Sequence, residues 1–195
     1  MSIALRISPR RFRSLAGVGL LSLALAGCGG GSNPLGNPSD ISNPAAEAGQ
    51  KLSFAFYQKC INPIFLEQLP IEGTSVTNTC AAGGCHDVNT GSGGAFRINQ
   101  SATGLTLGTS PDAAAIRLSD MYKNFKSTQG QVVFADPSAS RLINKPLVRG
   151  VLHGGGRIFL DENDPNAKLL LYWMSHPAAQ GQDEFTAPEP ASCAV

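Results

Sequence analysis

The stretch CAAGGCH, residues 80–86, constrains this chain more than any other. It sets two thiols five positions apart, places an imidazole directly after the second, and fills the gap with Ala81, Ala82, Gly83 and Gly84. The segment that follows, DVNTGSGGAFRINQSATG at 87–104, holds too many Gly, Ser and Asn residues for regular structure. Regular elements are therefore expected on either side of an irregular centre.

Before the motif, ISNPAAEAGQKLSFAFYQKC reads as a first helix. Asn43 is a candidate cap and Pro44 fits the first turn, while Leu52, Ala55, Phe56 and Cys60 recur at helical spacing. Pro63 ends or kinks it, PIFLEQL is a further short turn, and the polar residues 70–79 read as loop. After the motif, 110–125 reads as a second helix, with Ser110 as cap, Pro111 in the first turn and an inner stripe of Ala114, Leu118, Met121 and Phe125. In DPSASRLINKPL, Asp136 or Ser138 would cap a short third helix that turns Leu142 and Ile143 inward. HGGG at 153–156 cannot sustain a helix, because adjacent glycines leave the backbone too permissive. Asp164 then caps and Pro165 opens a closing helix that buries Leu169, Leu170 and Trp173 and stops at Pro177. The expected fold class is a small, loop-rich, mostly α domain.

The amino terminus has a different character. Arg6, Arg10, Arg11 and Arg13 precede an apolar stretch at 15–27, a pattern read as an export signal. Its end, Leu25-Ala26-Gly27-Cys28, resembles the lipobox of bacterial lipoproteins. That resemblance implies cleavage before Cys28 and acylation of its thiol and new amino terminus. Residues 1–27 are thus expected as signal peptide, and 28–46, rich in Gly, Asn and Pro, as a flexible tether. Of 15 basic and 14 acidic residues, the leader holds four basic and no acidic ones, so the mature chain has eleven against fourteen and a net charge of −3. No basic stripe remains, which excludes nucleic acid as a partner.

Three chemistries compete for CAAGGCH. A structural zinc site wants four ligands, usually in two close pairs. Cys80, Cys85, His86 and a distant His153 could supply them, but no second close pair exists and adjacent Cys85 and His86 fit one tetrahedral ion poorly. A Cys80–Cys85 disulfide suits an exported chain and leaves His86 incidental. The third chemistry is covalent haem: two thiols add to the two vinyl groups, and the imidazole after the second thiol lies beneath the iron, the logic of the C-x-x-C-H signature. A four-residue gap must bulge away from the porphyrin edge, and two alanines and two glycines permit that. With a haem present, His153 leads as second axial ligand, with glycines beside it to allow close backbone approach. Met174 is its rival, since His/Met ligation is common in cytochromes. Met121 and Met174 otherwise read as core, and His176 as a partner of its helix terminus. With Cys28 assigned to lipid, Cys60 and Cys193 are left as a possible disulfide.

The order of these elements resembles the monohaem c-type cytochromes, and more closely the planctomycete-type cytochrome c domains. The resemblance covers about 47–177 and rests on NPIF at 62–65, CxxxxCH at 80–86, SGGAFRI at 92–98, DPSASRLINKP at 136–146, HGGG at 153–156 and the closing Trp-containing helix. The stretched Cys spacing and the long 66–79 insertion depart from the pattern. The resemblance implies one haem c held by Cys80 and Cys85, with His86 as proximal and His153 as distal iron ligand, and a tail at 178–195. The implied function is single-electron transfer to redox protein partners by an exported protein, lipid-anchored and facing the periplasm from the outer membrane. Two other classes stay open: a haem-based sensor or peroxidase-like protein, and a haem-free lipoprotein interaction module with a Cys80–Cys85 disulfide.

Overall fold

The first helical run starts at Phe54, because Ser53 adopts an extended conformation and its Oγ accepts the Phe56 amide at 3.1 Å. The run comprises α1 (Phe54–Phe56), a π-helical turn (Tyr57–Ile61) and α2 (Asn62–Leu66) without interruption. In this computed structural model the described residues are 51–108, 110–179, 182–185, 187 and 189–195. The helix expected to open at Asn43 therefore has its first part outside the described residues, and Lys51–Ser53, expected as helix, is not helical. Pro63 does not end the run. The Asn62 amide reaches back five residues to the Tyr57 carbonyl, and this wider turn precedes a proline that has no N–H to contribute.

Residues 70–79 are not wholly loop. β1 (Leu69–Pro70) and β2 (Thr77–Asn78) form a two-stranded antiparallel ladder with Leu69 opposite Asn78. Four residues of strand leave little periodicity for a sequence pattern to show.

The single helix expected over 110–125 is two helices, α3 (Ala113–Leu118) and α4 (Asp120–Gln129). Asp112, not Ser110, caps the first, accepting the amides of Ala114 and Ala115. Ser119 breaks the run: its backbone is extended and its side chain accepts the Tyr122 amide, capping α4. The break rotates the faces, so Ile116 is buried while Leu118 is 80% exposed and Ala114 is exposed. Met121 and Phe125 do face inward. A 3₁₀ turn (Pro137–Ala139) capped by Asp136 leads into α5 (Arg141–Asn144), which buries Leu142 and Ile143. Asp164 caps α6 (Pro165–Ser175), and Leu170 and Trp173 of that helix are almost wholly buried.

The core is aromatic. Phe125 meets Phe54 at 5.5 Å and Tyr57 at 5.3 Å between ring centres, Tyr57 meets Trp173 at 5.5 Å, and the Trp173 indole donates to the Ser53 carbonyl. A buried polar network crosses it. Asn124 of α4 donates to Asn62 Oδ1 and to the Asn99 carbonyl and accepts the Asn99 amide, while the Tyr57 hydroxyl lies 3.1 Å from Thr128 Oγ1. Ser127 Oγ accepts the Arg97 amide at 2.6 Å. The irregular segment after the motif is thus fastened to α4 by side chains, its own backbone pairing being one parallel bridge between Asp87 and Ile98. Phe185 and Glu184, in the stretch expected as a tail, also belong to the interior, and the Glu184 carbonyl accepts the Phe54 amide. Met174 and Met121 are core residues.

Candidate functional site

CAAGGCH folds into a chain of turns. The Cys85 amide donates to the Ala82 carbonyl at 3.0 Å, and the His86 amide reaches back to the Cys80 carbonyl at 3.0 Å. That last bond brings the two ends of the motif together despite the long gap. Gly84 takes φ +80°, a conformation that costs a glycine little and a side-chain-bearing residue more. Ala81 is fully buried, its amide held by the Phe65 carbonyl at the end of α2 and its carbonyl by the Gln100 side chain. The motif is therefore pinned at its start, while Gly83 and Gly84 form its exposed bend.

Cys80 and Cys85 are free thiols, each partly exposed. Burial, with the neighbouring Cys85 adding to it, pushes the Cys80 thiol up to about 11. A Cys80–Cys85 disulfide is not formed. Cys60 and Cys193, by contrast, are joined by a disulfide that lies apart from the residues lining the cavity described below. Cys28 lies outside the described residues.

His86 is held from two sides. Its Nδ1 lies 3.0 Å from the Phe96 carbonyl, and its ring meets the Phe96 ring at 4.8 Å. Burial holds its pKa below the ordinary imidazole value, only partly offset by the Phe96 carbonyl, and the nearby His153, Arg97 and Lys145 push the same way as burial. A neutral ring with Nδ1–H bound to a carbonyl presents Nε2 as its free lone pair.

His153, between α5 and α6, repeats this arrangement. Its Nδ1 lies 2.8 Å from the Gly156 carbonyl, and the Gly156 amide donates back to the His153 carbonyl at 2.9 Å. Gly156 takes φ +78°, which this tight return requires. The loop is tied down on both sides: the Arg157 carbonyl accepts the Glu72 amide, and the Ile158 amide donates to the Pro146 carbonyl.

The two imidazoles face each other with ring centres 6.3 Å apart and planes 14° from parallel. Two imidazoles bound to one metal ion through Nε2 would have ring centres roughly 6 Å apart, from two bonds of about 2 Å and about 1 Å within each ring. Both rings have Nδ1 occupied by a backbone carbonyl, the outer-shell pattern that orients histidine ligands. Among the described residues no group of three or more His, Cys, Asp or Glu side chains is placed to hold a metal ion.

Cys80, Cys85, His86 and His153 all line one cavity of about 870 Å³, within the usual range for cofactor pockets. Leu69, Ile71, Phe96, Leu142, Pro146 and Ile158 supply most of its apolar wall. Met174 does not line it, so of the two distal candidates only His153 is at the cavity. His176 is elsewhere, stacked on Tyr172 at 4.0 Å with Nδ1 at the Tyr172 carbonyl. Sequence reasoning missed three contributors: the hairpin that brings Leu69 and Ile71, the Phe96 carbonyl that orients His86, and the pair Arg141 and Lys145 on the wall. Only the last pair carries a sequence signal, a four-residue spacing on a short helix.

No protein-family model, curated protein or solved structure matches the chain.

Proposed function

We propose that the cavity holds one covalent haem c and that the protein is an electron-transfer cytochrome. The observation that carries this reading is the facing pair His86 and His153, each with Nδ1 on a backbone carbonyl, at a cavity whose wall also presents two free thiols. Cys80 and Cys85 would form the thioethers: each S–H adds across a vinyl C=C, sulfur to one carbon and hydrogen to the other, with no oxidant consumed. His86 and His153 would be the axial ligands, and the apolar wall would keep water from the ring. Haem so bound supplies an iron that alternates between Fe(II) and Fe(III). The chain's contribution is a ligand pair already oriented by carbonyls on two anchored loops, which limits rearrangement when the charge changes. Two nitrogen ligands favour a lower potential than His/Met ligation, because a thioether ligand raises it.

On this reading the chain is exported, anchored through lipidated Cys28 and turned toward the periplasm from the outer membrane, where it would meet redox protein partners. Among the described residues no helix is long and apolar enough to cross a membrane. Metabolic labelling with a radioactive fatty acid tests the anchor: incorporation into the native chain and its loss in Cys28→Ser are expected.

The central test is expression in cells that attach haem, followed by a pyridine haemochrome spectrum of the purified protein. A red protein with the absorption of a two-thioether haem is expected, and a colourless one overturns the reading. Carbon monoxide separates the two haem functions. Ready binding by the reduced protein would favour a sensor or peroxidase-like role over electron transfer.

A further inference from the structure

Two charged side chains line the cavity, Arg141 and Lys145, and both are cationic. They stand one helical turn apart, at the start and the C-terminal cap of α5. No aspartate or glutamate is among the lining residues. Lys59, Arg117, Lys123, Arg149 and Arg157 each reach a carboxylate, whereas among the described residues Arg141, which is exposed, and Lys145, which is half-buried, have no ion-pair or side-chain hydrogen-bond partner. Two cations without an anionic partner, on a wall that mixes apolar side chains with Asn78, Thr79, Ser92 and Gln131, suit a ligand with a large apolar body and a doubly anionic edge. A guanidinium presents a fork of donors matched to a carboxylate, and an ammonium adds a point charge beside it.

We propose that Arg141 and Lys145 are the carboxylate seat of the cavity, receiving the two propionates of the haem. The inference rests on the haem reading above and adds the residues that neutralise the ring's acidic edge. It has an electrostatic consequence. Cations at that edge keep the propionates ionised to lower pH and favour the iron state with the smaller positive charge, so they raise the reduction potential.

The test is the midpoint potential of the haem-loaded full chain as a function of pH. Native protein is compared with Arg141→Gln, Lys145→Gln, the double variant, Arg141→Lys, and Lys168→Gln as an exposed control on α6. Of the other residues facing the cavity, Cys80 and Cys85 would be thioethers and His86 and His153 iron ligands in the loaded protein, and they are common to every variant. In the double variant the potential should fall on the alkaline side. Its pH-dependent step should move up by about one pH unit or more, the usual effect of removing a cation from a carboxylate. Arg141→Lys should keep most of the native profile, and Lys168→Gln all of it. A red double variant with the native profile overturns the seat and leaves the haem reading standing. A colourless native protein overturns both. If the double variant fails to fold, the single variants decide, and unchanged profiles in both count against the proposal.

Discussion

Gly93 has no room for a side chain. A Cβ there would sit 2.5 Å from Cε1 and 2.6 Å from Nδ1 of His86, and 2.8 Å from the Cys85 carbonyl. That carbonyl is backbone, held by the Gly93 amide itself at 2.8 Å, so neither neighbour can give way cheaply. Gly93→Ala should therefore destabilise the protein by about 1–3 kcal/mol, as overpacking does, and displace His86 from its carbonyl. Gly108→Ala is the control, because a Cβ there meets nothing within 4 Å; it should stay within about 0.5 kcal/mol of native. Thermal denaturation and the spectrum of the haem-loaded form read both effects. A native-like Gly93→Ala would show that the ring is not packed as described. Asp87, next to His86, carries the acid sensitivity of this turn. The Thr90 amide at 2.7 Å, the Thr90 hydroxyl and the Asn89 amide hold its carboxyl below the usual aspartate range. A depressed pKa contributes stability above the unfolded value, about 3.9, and that stability is lost as pH falls through the folded value. The melting temperature should decline over that interval, and Asp87→Asn should decline less steeply.

At the scale of elements, α4 does two jobs: it packs Met121 and Phe125 into the core and fastens the irregular segment that orients His86. Asn124 is 2% exposed and bonds Asn62 and both backbone groups of Asn99. Asn124→Ala leaves buried Asn62 with only the Tyr57 hydroxyl and strips both bonds from the half-buried Asn99 backbone. The expected loss is about 2 kcal/mol or more, from unsatisfied buried polar groups, seen as a lower denaturation midpoint. It should also loosen His86 through the shifted Phe96 carbonyl, seen on the haem reading as a changed spectrum, whereas an exposed change such as Lys126→Ala on the same helix should do neither. These roles mark where the sequence was legible. Short helices with a polar cap, a proline in the first turn and a periodic apolar face could be read directly, as at 164–175, because those signals are local. The break at Ser119 could not, because Ser119 serves as a mid-helix residue or as a cap depending on which tertiary face must be buried. Cys80, Cys85, His86 and His153 were legible as candidates through residue type and spacing. Their meeting across one cavity was not, since it depends on side chains such as Asn124 and Ser127 that hold loops without pattern.

Across the whole molecule, the first helical run and the segment near the carboxyl end are tied by one bond. Cys60 sits in the π-helical turn of the first helical run and Cys193 two residues before Val195, a separation of 133 residues. Closing a loop of that length restricts the unfolded chain far more than the folded one, a contribution of about 2–4 kcal/mol. The bond also retains the segment that carries Glu184 and Phe185 into the core, where the Phe185 ring packs on Phe54 at 5.7 Å and under Arg117. Removing it in Cys60→Ala/Cys193→Ala should lower the unfolding free energy read from chemical denaturation by that amount. The haem spectrum should not change, because neither cysteine lines the cavity. Thiol labelling separates the two cysteine pairs without any mutation. In unreduced, denatured protein made without haem attachment, alkylation should mark Cys80 and Cys85 and spare Cys60 and Cys193; after attachment, Cys80 and Cys85 should be protected as well. Labelling of Cys60 and Cys193 before reduction would remove the disulfide from the account of stability. Protection of Cys80 and Cys85 in the haem-free protein would restore the competing disulfide. The same gel therefore tests what staples the fold and what the motif is free to do.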